Sequence, residues 1–317
     1  MKSLFIALTI AITMASTGVF AGFDDGLIAT KNGDYTTAFK IFKSFADQGD
    51  EAAQHNLGVM YRKGQGVAQD LKEAERLFRL SAAQGNAAAR AELGIMYLKG
   101  NGVAQDYKEA VRLNRLAASQ GNADAQNALG VMYENGQGVD QDYKEAVRLY
   151  KLAAAQGLAN GQSNLGTMYH QGRGVVQDYK EAARLLGLAA AQDDANGQAK
   201  LGWLYFLGQG VAQDYKESAR RFGLAAAQGN ADGHNGLGFM YYHGHGVTQD
   251  YKESARRFGL AAAQGNNMGQ YTLGGMYKDG KGVAQDYKEA ARLFGLAAAQ
   301  GNEAAKKELN LLKQMLN

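Results

Sequence analysis

The sequence predicts an all-α solenoid of stacked antiparallel helix pairs, on three observations. A stretch running from Leu237 to Asn266 returns in near-copy from Leu57, Leu93, Leu129, Leu165, Leu201 and Leu273, at a step of 36 residues with no insertion or deletion. Self-similarity at a fixed period of this size is the mark of units that cannot bury their apolar faces alone and stack to do so. Each copy holds two stretches with helical spacing of apolar residues, separated by a glycine-rich loop. Proline is absent from the 317 residues, where about 5% is usual, as befits an almost wholly helical chain. The 42 glycines fall mostly in the repeat rows, where they punctuate rather than loosen.

Taken in order, residues 1–21 read as a secretory leader. Lys2 is its charged start, Leu4 to Met14 its apolar core, and Val19-Phe20-Ala21 a small-residue cleavage site before Gly22. The core is short for a membrane span. The expectation is cleavage after Ala21, no stable membrane span thereafter, and a periplasmic or secreted location; an uncleaved anchor is the alternative. There is no cysteine, hence neither lipid attachment at one nor a disulfide. A stacked core is large enough to do without such staples.

Residues 22–49 carry Gly26, Gly33-Asp34-Tyr35, Ala38 and Phe42 with a shorter inner loop, and read as a divergent N-terminal capping repeat. Residues 50–301 hold seven repeats. On the first helix Ala53, Leu57, Met60 and Tyr61 fall within about 80° of arc. Gly58 lies at the edge of that arc, and a helical glycine costs about 1 kcal/mol, so close approach of a neighbouring helix is expected there. Gly64 suits a left-handed helix end, Gly66 a second positive φ, and Val67 a plug under the loop. Asp70 and Glu73 form a D-x-x-E capping-box pattern that opens the second helix. Ala74, Phe78 and Ser81 share its buried face, and Gln84-Gly85-Asn86 ends it. Residues 302–317 read as a C-terminal capping helix: Leu309 is in phase, but Asn310 replaces the frame glycine and Lys313 the tyrosine.

Leu57-Gly58, Tyr61, Ala74, Phe78 and Ser81 resemble the tetratricopeptide pattern. The longer inner loop with GxGV, the shorter outer turn and a period of 36 rather than about 34 are similar to the Sel-one-like repeat family over about 57–301. Members often carry proline before the Gln-Asp; this chain has Ala, Asp, Val or Thr. The resemblance implies a right-handed superhelical solenoid whose first helices line a concave groove, and adaptor roles in envelope assembly or host contact. Some cysteine-rich exported relatives are described as penicillin-binding or β-lactamase proteins, but this chain lacks those cysteines.

Chemistry is scarce. A residue present in every repeat is frame, so the Asp70, Glu73 and Arg76 rows read as caps and surface ion pairs. The GxGV loops follow a helix and precede no Lys-Ser or Lys-Thr, so they are not phosphate cradles. No serine has lysine three residues on, and no G-x-S-x-G occurs. His243-Gly244-His245, with His234 nearby, lacks a third ligand at fixed helical spacing. Neither an enzyme, a cofactor nor a metal is expected. Net charge is +3, with acids and bases side by side and no basic block, so no nucleic-acid partner is expected. Asp193-Asp194 replaces the turn glycine, either straining one joint or tolerated there.

Positions 52, 55, 59, 62 and 63 lie about 140–240° from Leu57, outside its core. These rows vary, among them Val59, Ile95, Val131, Thr167, Trp203, Phe239, Gly275; and Arg62, Leu98, Glu134, His170, Phe206, Tyr242, Lys278. Arg62, Lys63 and Lys99 give the early end a basic tone. The later repeats gather Trp203, Phe206, Leu207, Phe239, Tyr242, His243 and Tyr271, which are expected to bind a protein or peptide partner in the groove. The competing reading is that these rings pack on one another as extra core. A peptidoglycan or envelope-polysaccharide ligand is the second functional reading, and a β-lactamase-like hydrolase a third.

Overall fold

The computed structural model describes residues 22–316; the predicted leader and its cleavage site lie outside them. The described residues form seventeen α-helices and no strand. The chain divides into two compact units between Gln105 and Asp106. The first contains α1 (Phe23–Lys31), α2 (Tyr35–Asp47), α3 (Glu51–Lys63), α4 (Leu71–Ala83) and α5 (Ala87–Lys99). The second contains α6 (Tyr107–Ser119), α7 (Ala123–Asn135), α8 (Tyr143–Ala155), α9 (Ala159–Gln171), α10 (Tyr179–Ala191), α11 (Ala195–Leu207), α12 (Tyr215–Ala227), α13 (Ala231–His243), α14 (Tyr251–Ala263), α15 (Asn267–Asp279), α16 (Tyr287–Ala299) and α17 (Glu303–Leu316). Within each unit consecutive helices pack in antiparallel sequence, and in the second unit α7, α9, α11 and α13 also touch in succession. The fold is an all-α solenoid of helix pairs.

Each pair closes on the frame residues. Ala53, Leu57 and Met60 are buried against Leu77, and Ala74 and Phe78 are fully covered. The frame glycine packs on the ring of its own repeat's second helix. A Cβ on Gly58 would stand 2.7 Å from Phe78 Cε1, and one on Gly202 2.9 Å from Phe222. Gly26 makes the same contact with Phe42, at 2.7 Å, so the N-terminal pair repeats the frame contact despite its shorter loop. A second tie is a glutamine rung: Gln84 Nε2 donates to Gln54 Oε1 at 2.9 Å, with equivalents at Gln156–Gln126, Gln192–Gln162, Gln228–Gln198 and Gln300–Gln270.

The inner loop uses its two glycines differently. Gly64 ends α3 at φ +68°. Gly66, at φ +71°, lets the loop lie on the backbone carbonyl of Tyr35, the first residue of the preceding second helix, where any Cβ would collide. The equivalent glycines meet Tyr143, Tyr179, Tyr215 and Tyr251 in the same way. Val175, Val211, Val247 and Val283 pack beneath their loops.

The capping box is only half made. Asp70 accepts from the N–H groups of Lys72 and Glu73, but its own N–H donates to the Tyr61 carbonyl at 3.0 Å. Glu73, with no donor left to accept from at the cap, holds Arg76 in a two-pronged pair at 2.7 and 2.8 Å. The row repeats this at Glu109, Glu145, Glu181 and Glu289. Asp193 sits at φ +59°, the only non-glycine at positive φ among the described residues, while Asp194 caps α11 by accepting from Gly197.

Candidate partner-binding site

The variable rows of the first helices converge in the second unit on the ends of α9, α11, α13 and α15. Trp203 and Phe206, one turn apart on α11, meet Phe239 of α13. Ring centroids are 5.8 Å apart for Trp203–Phe206, 6.0 Å for Trp203–Phe239 and 5.3 Å for Phe206–Phe239. Edge-to-face and tilted rings at such distances are mutually favourable. His243 packs at 4.3 Å on Phe239 and 5.0 Å on Tyr242. His245, from the following loop, stacks at 4.6 Å on Tyr215 and 5.5 Å on His243. Leu207 and His243 are exposed, while Trp203, Phe206, Phe239 and Tyr242 are half-buried.

The cluster is rooted in the core, which corrects the expectation that these positions stand apart from the frame leucine. Trp203 lies 4.9 Å from Phe222, a fully buried frame ring, and packs with Phe206 and Phe239 against the cluster of Leu237 and Met240. A first helix in a stack is flanked by two others, so its covered arc is wider than the face turned to its own partner. A long ring at the flank reaches between the helices to the layer beneath.

Tyr271 does not join these rings. It lies 5.8 Å from Phe294 and shares with Tyr242 a separate pocket of about 210 Å³ bordered by Lys278 and Glu308. Lys281 donates to Tyr242 Oη at 3.1 Å and stands over the Tyr242 and Tyr251 rings. At the early end, Arg62 pairs with Glu92 at 3.2 Å, which reduces the expected basic tone.

A second pocket went unforeseen. It has a volume of about 240 Å³ and lies between α9 and α11, with Leu186 and Leu204 at its base and Trp203, Leu207, Thr167, His170, Gln171 and Lys200 around it. Lys200 Nζ donates to Thr167 Oγ1 at 2.6 Å. Burial pushes its pKa below the ordinary lysine value, against the pull of Asp232, Glu134 and Asp194. The signal in the sequence was a broken row: Leu186 stands where Phe78, Phe222, Phe258 and Phe294 stand elsewhere.

Although His243 is exposed, partial desolvation of its ring and then the neighbouring His245 hold it below its ordinary pKa. Among the described residues no three His, Cys, Asp or Glu side chains stand together as metal ligands, and no helix is long and apolar enough to cross a membrane.

The family model of the Sel1 repeat matches eight consecutive segments, 20–50, 51–86, 87–122, 123–158, 159–194, 195–230, 231–266 and 267–302. The chain belongs to the Sel1 repeat family. The model's first segment takes in the divergent N-terminal pair. Among Sel1 structures, the chain is 32% identical to a Sel1 repeat protein from Oxalobacter formigenes, with a TM-score of 0.61 over 91% of this chain and 86% of that one. It is 38% identical to a protective antigen present in uropathogenic Escherichia coli strains, with a TM-score of 0.63 over 86% of this chain. That match spans 59% of the antigen's chain. A 44-residue stretch, 14% of this chain, is 46% identical to the DAP3-binding cell death enhancer 1 of Rattus norvegicus and spans 9% of that protein. The chain is thus a Sel1 repeat scaffold.

Proposed function

We propose that this Sel1 repeat protein is an exported, non-catalytic scaffold that holds a peptide segment of a protein partner against the first-helix face of its second unit. The observation that carries the reading is the Trp203–Phe206–Phe239 cluster, half-buried and anchored on Phe222. Rings held by a core lose little freedom on binding, and aromatic anchors in preorganised surroundings dominate binding energy. The leader-like residues 1–21 support export, and so does the description of the E. coli relative as a protective antigen. The absence of a nucleophile motif from the sequence supports a role without catalysis.

The test is affinity capture from envelope extract on the immobilised chain, followed by titration of the recovered partner. Phe206→Ala and His243→Ala should each weaken it at least tenfold, the equivalent of about 1.4 kcal/mol, with helix content unchanged. Undiminished affinity in both variants would move the site elsewhere. Co-sedimentation with purified sacculi, equally sensitive to Phe206→Ala, would favour the polysaccharide reading instead.

A further inference from the structure

Two joints of the stack are closed by an ion pair between successive first helices, and a third, which carries a lysine at the second position, is not. Arg62, in the last turn of α3, pairs with Glu92, thirty residues on, at 3.2 Å; Lys278 pairs with Glu308 over the same interval at 2.8 Å. Between α9 and α11 the equivalent positions hold His170 and Lys200. Neither is an acid. His170 turns to Gln209 at 3.0 Å, and among the described residues Lys200 has no carboxylate within ion-pair distance and a single hydrogen bond, to Thr167. An ammonium has three donors, and this one is partly buried beside apolar walls.

Beneath it the aromatic row is broken at Leu186, which lines the pocket of about 240 Å³. That exceeds the roughly 150 Å³ of a cavity that accepts benzene and falls short of the roughly 300–1,000 Å³ of sites for larger ligands. It is room for one apolar side chain. The charge is equally selective. The single cation already lies in the field of Glu134, Asp194 and Asp232, so it can pair directly with at most one further negative charge and disfavours a doubly charged phosphate. The pocket is continuous through Trp203 with the Phe206–Phe239 rings, so a ligand filling it would also have a surface along which to extend. A free small acid would leave that surface bare.

We propose that this pocket receives the C-terminal residue of a bound peptide, its apolar side chain seated on Leu186 and Leu204 and its free carboxylate on Lys200 Nζ. The inference rests on the peptide-binding reading above and names the end of the peptide that is gripped. A seated carboxylate gives Lys200 Nζ the direct ion pair that the Arg62–Glu92 and Lys278–Glu308 joints have, and charge-assisted hydrogen bonds are the stronger kind.

The probes are N-acetyl-Leu-Leu-Phe as free acid, the same tripeptide as C-terminal amide, and N-acetyl-Phe. Each is titrated into the purified full chain by calorimetry and by the fluorescence of Trp203, the only tryptophan. The free acid should bind at least tenfold tighter than the amide and than N-acetyl-Phe. Lys200→Met should bring the acid down to the level of the amide. Leu186→Phe installs the residue that five other repeats carry, the N-terminal one included; it should keep or raise the melting temperature and narrow the pocket enough to abolish binding. Acid and amide binding alike, binding that survives Leu186→Phe, or no binding of any probe would overturn the proposal. N-acetyl-Phe binding as tightly as the tripeptide would overturn it in favour of a free small acid. Should the probes fail while Phe206→Ala still weakens the captured partner, the pocket assignment falls alone; should both fail, the peptide reading falls with it.

Discussion

His234 occupies the place that glutamine holds at Gln54, Gln126, Gln162, Gln198 and Gln270. It is 6% exposed, its Nδ1 has no partner, and Gln264, the other half of the rung, turns to the Leu260 carbonyl instead. Burial, then Arg257 and Arg256, hold its pKa below the ordinary 6.5. The sign follows directly. The unfolded chain takes up a proton near pH 6.5 that the folded imidazole resists, so stability is full above that pH and declines as pH falls below it. His234→Gln should rebuild the rung and add about 0.5–1.5 kcal/mol at pH 8. Urea midpoints at pH 8 and pH 5.5 check this: the advantage of the variant should widen at the lower pH, and a constant or shrinking gap would count against a buried neutral imidazole. Asp193 was legible as an oddity, since it breaks a row of glycines, and the structure resolves it as a left-handed turn residue. Lys200 was not legible, because nothing in its immediate sequence neighbourhood sets it apart. Its meaning depends on a partner thirty residues away and on which end of the preceding helix faces it.

At the scale of the helix pair, the exact period made the elements readable. Asp at the N-cap of each second helix, glycine at the C-cap of each first helix of the 36-residue repeats and a single step throughout left little freedom in placing Leu57 or Phe78. What periodicity alone could not supply was the width of the buried arc, which is why Trp203 and Phe239 were assigned to a face separate from the frame. The frame glycine offers the clearest test of pair packing. A Cβ at Gly166 would stand 2.9 Å from Leu186 Cγ and 3.3 Å from the Ala182 carbonyl, so Gly166→Leu should cost about 1–3 kcal/mol by overpacking. Val176→Thr, at a side chain 86% exposed, should stay within about 0.5 kcal/mol. Equal denaturation midpoints for the two variants would contradict the close approach of α9 and α10.

For the whole molecule, the proposed export makes a prediction independent of the binding face. The mature chain should begin at Gly22 and appear in the osmotic-shock fraction; an intact Met1 terminus in the membrane pellet would instead describe an anchored protein. Each unit gains its stability from contacts between neighbouring repeats, as stacked arrays do. One of those contacts bears on how such a chain changes over generations. The second loop glycine of a repeat rests on a backbone carbonyl of the repeat before it, as Gly210 does on Tyr179 and Gly246 on Tyr215. Main chain meets main chain there, so this part of the joint does not depend on which side chains its two repeats carry. Unequal recombination between the near-identical coding stretches would therefore excise or duplicate a whole 36-residue module and still leave a seam that fits. Gene length becomes a variable that selection can adjust in whole repeats, and the reach of the binding face can be inherited separately from the chemistry displayed along it.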